Sequence, residues 1–111
     1  MTTHDAQMLK GVLALLLLSL LAREDNYGYG IVTALRESGF SDLAEGTVYP
    51  ALSRLESQGL LEARLVRSAS GPARKYYTPT ASGADELVRA RQAWDGLVAA
   101  VASVRPQEVT S

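Results

Sequence analysis

The residue types that most often build reactive or metal sites are nearly missing from this sequence. It contains no cysteine, and its only histidine is His4, close to the N-terminus. Disulfide frameworks and thiolate metal sites are therefore excluded, and imidazole metal sites nearly so. No glycine-rich phosphate loop follows a strand pattern, and the carboxylates are scattered over polar positions. We therefore predict no enzyme activity, no metal site and no cofactor.

A hydrophobic run long enough to span a bilayer is missing as well. The longest run, residues 11–22, has about half of the roughly 20 residues that a span requires. A signal peptide is disfavoured because Asp5 lies where a basic leader belongs, and residues 23–25 (Arg-Glu-Asp) lie where small cleavage-site residues belong. We therefore predict a cytoplasmic protein with no membrane partner, and we assign the run to a buried helix.

The chain also lacks a strong charge of either sign. Its 111 residues carry a net charge of −1 and are 47% hydrophobic, which suits one domain with a single core. Residues 46–79 hold five basic and two acidic side chains, whereas residues 1–45 and 80–111 each have an acidic surplus. The central segment is therefore the candidate for contact with a polyanion, although a solvated surface can produce the same imbalance.

Two helices are predicted before residue 40. Leucines at spacings of three and four between about Asp5 and Arg23 indicate a helix that is buried on more than one face. Residues 25–28 have the composition of a turn. Residues 29–38 then form a second helix, which Gly39 ends.

A third helix is predicted from Glu45 or Thr47 to Gln58, with Gly59 as its stop. Pro50 lacks an N–H group and is best tolerated in a first turn, which favours Thr47 as the N-cap. An earlier start with a distortion near Pro50 is the alternative.

The helical projection separates two faces of this third helix. Val48, Leu52 and Leu55 form an apolar face. The opposite face is small, polar and basic, and contains Gly46, Pro50, Ser53, Arg54 and Ser57.

A β-hairpin is predicted directly after the three helices. Residues 61–65 alternate with period two, residues 74–78 are rich in strand-forming types, and residues 68–72 read as a turn. Three helices followed by a hairpin are the layout of a winged helix. We therefore predict a mainly α fold with a small β-hairpin (α+β), in which residues 5–79 form a winged helix-turn-helix domain.

The last predicted helix begins near Thr80 or Ser82 and ends before Pro106. Its apolar residues follow the heptad spacing of a coiled coil: Leu87, Ala90, Trp94, Leu97, Val101 and Val104. Such a stripe could pack on its own domain. However, a terminal helix this long extends beyond so small a core, so we predict that residues 80–104 form a dimerisation helix.

Three ordered motifs resemble those of the PadR family of transcriptional regulators. They are GTVYPALSRLESQGLL at residues 46–61, NYGYGI at 26–31 and GPARKYYTPTASG at 71–83, and the resemblance covers residues 9–104. The chain is similar to the compact subgroup with a single C-terminal dimerisation helix. The resemblance implies a sequence-specific DNA-binding regulator, a repressor, that acts as a homodimer on a pseudo-palindromic operator in double-stranded DNA.

The resemblance also implies which residues contact DNA, and the physical chemistry agrees. A helix face with small polar side chains can approach base edges in the major groove, which selects Thr47, Pro50, Ser53 and Arg54. Tyr49 lies at the flank of the apolar face, where its hydroxyl can reach a phosphate or its ring can simply pack.

Cations of the hairpin are candidates for phosphate contact. Arg74 and Lys75 can neutralise the DNA backbone, although basic residues also protect solvated strand edges. Arg64 and Arg67 are weaker candidates of the same kind. Residues 27–28 are assigned to the turn between helices instead.

Trp94, the only tryptophan, lies in the middle of the heptad stripe. The resemblance implies that a planar aromatic effector could stack on it at the dimer centre, whereas packing within the interface is the simpler role. An alternative function also stays open. The acidic net charge would suit a winged-helix protein-interaction module that does not bind DNA.

Overall fold

The computed structural model describes residues 4–106, which form four helices and one three-stranded antiparallel sheet. The elements in chain order are α1 (Ala6–Arg23), β1 (Asn26–Tyr27), α2 (Gly28–Glu37), α3 (Glu45–Ser57), β2 (Leu61–Ser68), β3 (Gly71–Pro79) and α4 (Ala81–Val104). The strands β2 and β3 make the predicted hairpin, which we call the wing. The winged helix-turn-helix prediction is confirmed.

The first helix begins where a carboxylate caps it. The Asp5 Oδ1 atom accepts hydrogen bonds from the backbone N–H groups of Gln7 and Met8, both at 3.0 Å. By length and composition alone, α1 is long and apolar enough to cross a membrane. Its fully buried Leu17 and Leu18 belong to the core, and α1 packs against α3, β3 and α4.

The predicted turn at residues 25–28 contains a short strand that the sequence did not reveal. Asn26 and Tyr27 form β1, which pairs with β3 so that Tyr27 lies opposite Tyr76. The sheet order is therefore β1-β3-β2. Two residues are too few to show an alternating pattern, and their pairing partner lies about 50 residues away in the chain, so local sequence gave no signal.

The third helix starts earlier than the favoured prediction. It begins at Glu45, so Thr47 is not the N-cap and Pro50 lies inside the helix. The Ala44 carbonyl accepts the N–H groups of Thr47 and Val48 at 3.0 and 3.2 Å and closes the first turn. Pro50 then removes only the bond to the Gly46 carbonyl. Gly46 is exposed, so water can satisfy that carbonyl.

Both predicted glycine stops are confirmed. Gly39 and Gly59 have φ angles of 113° and 77°, a left-handed conformation that side chains disfavour. After Gly59, the Leu60 N–H donates to the Leu55 carbonyl at 2.9 Å. This bond turns the chain from α3 into the wing.

The start of α4 is attached firmly to that same turn. Thr80 is the N-cap, and its Oγ1 accepts the Gly83 N–H at 3.0 Å while donating to the Gly59 carbonyl at 2.6 Å. Gly83 packs so closely that a Cβ atom there would overlap the carbonyl oxygen of Leu60. The first turns of α4 are therefore part of the winged-helix body.

The rest of α4 leaves that body. Every residue from 91 to 104 is exposed, and the molecule is 59 Å long. The radius of gyration is 16.4 Å, whereas a compact domain of this size has about 13 Å. The difference arises because the second half of α4 projects away from the core.

Candidate nucleic-acid interface and dimer helix

The predicted groove-reading residues lie together on the outside of α3. Thr47, Pro50, Ser53 and Arg54 are all exposed, and we call this set the α3 face. On the opposite side, Val48, Leu52 and Leu55 are buried in the core, as predicted. The core contacts therefore fix the orientation of α3, and the α3 face presents short side chains and one guanidinium to solvent.

Tyr49 packs its ring and still reaches solvent. Its aromatic ring lies against Gly28, at the start of α2, where an added Cβ would come within 2.9 Å of the ring carbon Cζ. Tyr49 is nevertheless 40% exposed. Partial burial, with a smaller effect from the Glu45 carboxylate, raises the pKa of Tyr49. The phenol therefore stays protonated at neutral pH and keeps its O–H donor.

Gly28 makes a packing contact that the sequence did not reveal. Gly28 is buried as the first residue of α2, and the Tyr49 ring occupies the space that a side chain at this position would fill. Sequence reasoning assigned it only to the turn between helices. No local pattern could have shown this contact, because Gly28 and Tyr49 meet through tertiary packing.

The two wing cations with the strongest predicted role lie on opposite faces of the hairpin. Alternation along β3 places Arg74 beside β1, where its guanidinium carbon lies 4.5 Å from the Tyr27 ring centroid. Lys75 faces α3, and its Nζ donates to the Glu56 Oε1 atom at 2.8 Å. The structure therefore does not bring Arg74 and Lys75 together, and only Lys75 contacts α3.

Lys75 has a defined electrostatic environment. The hydrogen bond to Glu56 is the main cause that raises the pKa of Lys75, so the ammonium is charged at neutral pH. Its Nζ also lies 5.4 Å from the Tyr77 ring centroid. Glu56 was not predicted as part of the site, because the ion pair depends on the packing of the wing against α3.

The weaker candidates Arg64 and Arg67 lie on β2, on either side of the positions that pair with Lys75 and Arg74. Arg64 donates to the Asp25 carboxylate at 2.5 Å, and its guanidinium carbon lies 5.9 Å from the Tyr76 ring centroid. The Arg64 bond, followed by one from Thr78, lowers the pKa of Asp25. Arg67 is exposed near the wing tip.

The heptad stripe of α4 is divided between two environments. Leu87 is only 9% exposed and belongs to the core of its own chain, so its proposed place in a dimer interface needs correction. Ala90 is half-buried. The remaining stripe residues are exposed: Trp94 44%, Leu97 58%, Val101 51% and Val104 83%. Among the described residues, the exposed part of the heptad stripe therefore begins at Trp94.

A groove in the described part of the chain lies beside α4 but not at Trp94. It has a volume of about 560 Å³ and is lined by the end of α1, by Pro79 and by residues 84–88 on one side of α4. Trp94 is not among its lining residues. Within residues 4–106 no group of three His, Asp or Glu side chains is arranged to bind a metal ion.

Comparison with known proteins identifies the family. The family model for the transcriptional regulator PadR-like family matches residues 17–89. A PadR-like transcriptional regulator from Bacillus cereus is 38% identical and superimposes with a TM-score of 0.83, covering 93% of this chain and all of that one. A PadR family regulator from Eggerthella lenta is 36% identical, with a TM-score of 0.81 over 88% of this chain and 85% of its own.

A further solved structure is Bacillus subtilis PadR in complex with operator DNA. It is 25% identical, with a TM-score of 0.62, and the match covers 90% of this chain but 51% of that protein. The matched family residues include α3, the wing and the first turns of α4. The chain therefore belongs to the PadR-like family of transcriptional regulators, which is a family of regulators and not of enzymes.

Proposed function

We propose that this chain is a cytoplasmic repressor that binds a pseudo-palindromic DNA operator as a homodimer. One observation carries the proposal: the α3 face is exposed, small and polar, and its single cation is Arg54. The major groove of B-DNA accepts such a helix. The DNA-bound structure of Bacillus subtilis PadR supports the same partner.

Each residue of the proposed interface has a distinct role. Arg54 would form a bidentate pair with guanine in the major groove, and Thr47 and Ser53 can donate to or accept from either base type. Pro50 leaves room for close approach because it has no long side chain. The Tyr49 hydroxyl, Arg74 and Lys75 would contact phosphates, which adds affinity without sequence information.

The proposed dimer uses the exposed half of α4. Trp94, Leu97, Val101 and Val104 form an apolar stripe that has no partner in the described chain. A second copy related by a two-fold axis would cover it, because a two-fold interface pairs the same surface of both chains. We expect sedimentation to show a dimer at micromolar concentration, and a monomer there would contradict this part of the proposal.

A second candidate function is protein interaction without DNA binding. Two observations favour it. The first is that Lys75 and Arg64 are already paired with the carboxylates of Glu56 and Asp25. The second is that the net charge of the chain is −1. Binding to the upstream promoter region of the chain's own gene, measured at two salt concentrations, separates the candidates. The DNA-binding proposal predicts an affinity that falls as salt rises, and no binding at low salt would favour the alternative.

We further propose that a planar aromatic molecule regulates DNA binding from the dimer centre. Trp94 is 44% exposed at the point where α4 leaves the winged-helix body. An indole can stack on a flat ligand there, between two helices whose relative angle sets the separation of the two α3 helices. The ligand would release DNA only if it bound the free dimer more tightly than the DNA-bound dimer.

A further inference from the structure

One ion pair joins the proposed reading helix to the wing. The Lys75 ammonium on β3 lies 2.8 Å from a carboxylate oxygen of Glu56, in the last turn of α3. The two side chains keep 49% and 34% of their surface exposed. An ion pair with this exposure contributes little to folding stability. The ion pair has a larger effect on the charge of this surface than on folding stability.

The position of Glu56 places this pair beside the proposed DNA contacts. Glu56 follows Ser53 by three residues and Tyr49 by seven, so the three share one flank of α3. Tyr49 is a proposed phosphate contact, and Ser53 belongs to the α3 face. A phosphate that approaches this flank would therefore meet the Lys75 ammonium and the Glu56 carboxylate together.

The Lys75–Glu56 pair has a net charge close to zero while it is intact. Sequence-independent DNA affinity depends on how many phosphates the protein neutralises, because each neutralisation releases condensed counterions. A lysine that is already neutralised by a carboxylate contributes less to this release. The hydrogen bond that Lys75 donates to Glu56 raises the pKa of Lys75 above its ordinary value. That ordinary value already lies far above neutral pH, so loss of the carboxylate would still leave a charged ammonium.

We propose that Glu56 limits the sequence-independent DNA affinity of this protein by neutralising Lys75 at the flank of α3. The inference rests on the proposed DNA-binding function. Because phosphate contacts add to the affinity for operator and unrelated DNA alike, Glu56 would lower the sequence-independent part of both affinities. Glu56 acts through Lys75 and does not itself contact a base.

The test uses the full chain and a duplex of unrelated sequence. Glu56→Gln should bind this duplex more tightly than wild type at 50 mM salt. Its plot of log affinity against log salt should be steeper by up to about one unit, because the Lys75 ammonium would then neutralise a phosphate without competition from Glu56. Glu62→Gln is the matched control, because it removes the same charge from an exposed position on the opposite face of the wing.

A second pair of variants shows whether the effect passes through Lys75. In a Lys75→Gln background, Glu56→Gln should change neither the affinity nor the salt slope. Glu56→Ala, which also removes the hydrogen-bond acceptor, should reproduce the increase seen with Gln in the otherwise unchanged chain. Thermal unfolding followed by circular dichroism confirms that each variant is folded.

Three results would overturn the inference. The first is an affinity of Glu56→Gln equal to or below that of wild type, because Glu56 would then only hold Lys75 in place. The second is an equal increase with Glu62→Gln, and the third is an increase that persists without Lys75; both indicate a general charge effect. A wild-type protein that binds neither operator nor unrelated DNA refutes the proposed function as well, so the two failures are distinguishable.

Discussion

The two halves of α4 have the same apolar spacing but opposite surroundings. In the first half, the Thr80 cap, the close contact at Gly83 and the buried Leu87 attach the helix to the winged-helix body. In the second half, every residue from 91 to 104 is exposed. The comparison teaches that one heptad pattern can pack on the core at one end of a helix and stay exposed at the other.

The largest expected difference between the halves comes from deleting a leucine side chain. Leu87→Ala should lower the free energy of unfolding by roughly 2–5 kcal/mol, because it removes buried core atoms and leaves a cavity. Leu97→Ala should leave the stability of the single chain within about 0.5 kcal/mol, because its side chain is 58% exposed. Chemical denaturation at several protein concentrations measures both effects.

The dependence on protein concentration is the sharper part of that experiment. The loss in Leu87→Ala should be nearly independent of concentration, whereas any loss in Leu97→Ala should grow on dilution, since it acts on dimer association. Equal, concentration-independent losses would show that both leucines pack within one chain.

A glycine-to-alanine substitution should change the stability of the protein in opposite directions in the two halves of α4. Gly83→Ala should destabilise the protein by about 1–3 kcal/mol, because its Cβ would overlap the Leu60 carbonyl oxygen. Gly96→Ala should stabilise it by up to about 1 kcal/mol, because nothing lies near the added Cβ and alanine favours helix. Melting temperatures of both variants test this. Destabilisation by Gly96→Ala would indicate that the second half has close neighbours.

These contacts also show what the sequence could and could not predict. The α3 face, the stop at Gly59 and the cap at Thr80 were predictable, because helical periodicity and capping depend on residues close in sequence. The strand β1 and the contact of Gly28 with Tyr49 were not. They depend on which elements meet in space, which periodicity does not encode.

The position of Leu87 illustrates the same limit within a correct element. The heptad pattern located the helix and its apolar side, but it gave no boundary between the part that packs on the body and the part that extends from it. The boundary follows from the packing of Gly83 on the turn after α3. Likewise, the partner of Lys75 followed from the docking of the wing on α3 and not from strand composition.

Substitution of Arg54 tests whether the winged-helix body recognises the DNA sequence. Arg54→Ala should cost roughly 1–3 kcal/mol of binding free energy on the preferred site if its guanidinium pairs with a base. The loss on unrelated DNA should be smaller. Fluorescence anisotropy titrations with both duplexes give the two values, and equal losses would assign Arg54 to phosphate contact instead.

The smallest expected change is the loss of DNA affinity when a ligand binds at Trp94. A planar aromatic compound that stacks there should quench the single tryptophan, and a tenfold loss of DNA affinity requires about 1.4 kcal/mol of coupling. Planar dyes and phenolic acids would be titrated into wild type while operator binding is followed, with Trp94→Ala as the control for binding at this site. Quenching without a change in operator affinity would leave Trp94 as interface packing alone.

Selection of bound sequences from a random pool of DNA duplexes tests the central claim most directly, because it depends on both regions together. The α3 face of each chain must read bases, and the exposed half of α4 must hold two chains at a fixed separation. The account predicts an enriched inverted repeat whose half-sites lie about one helical turn, or about 34 Å, apart. Failure to enrich any sequence, or enrichment of a single unrepeated half-site, would contradict it.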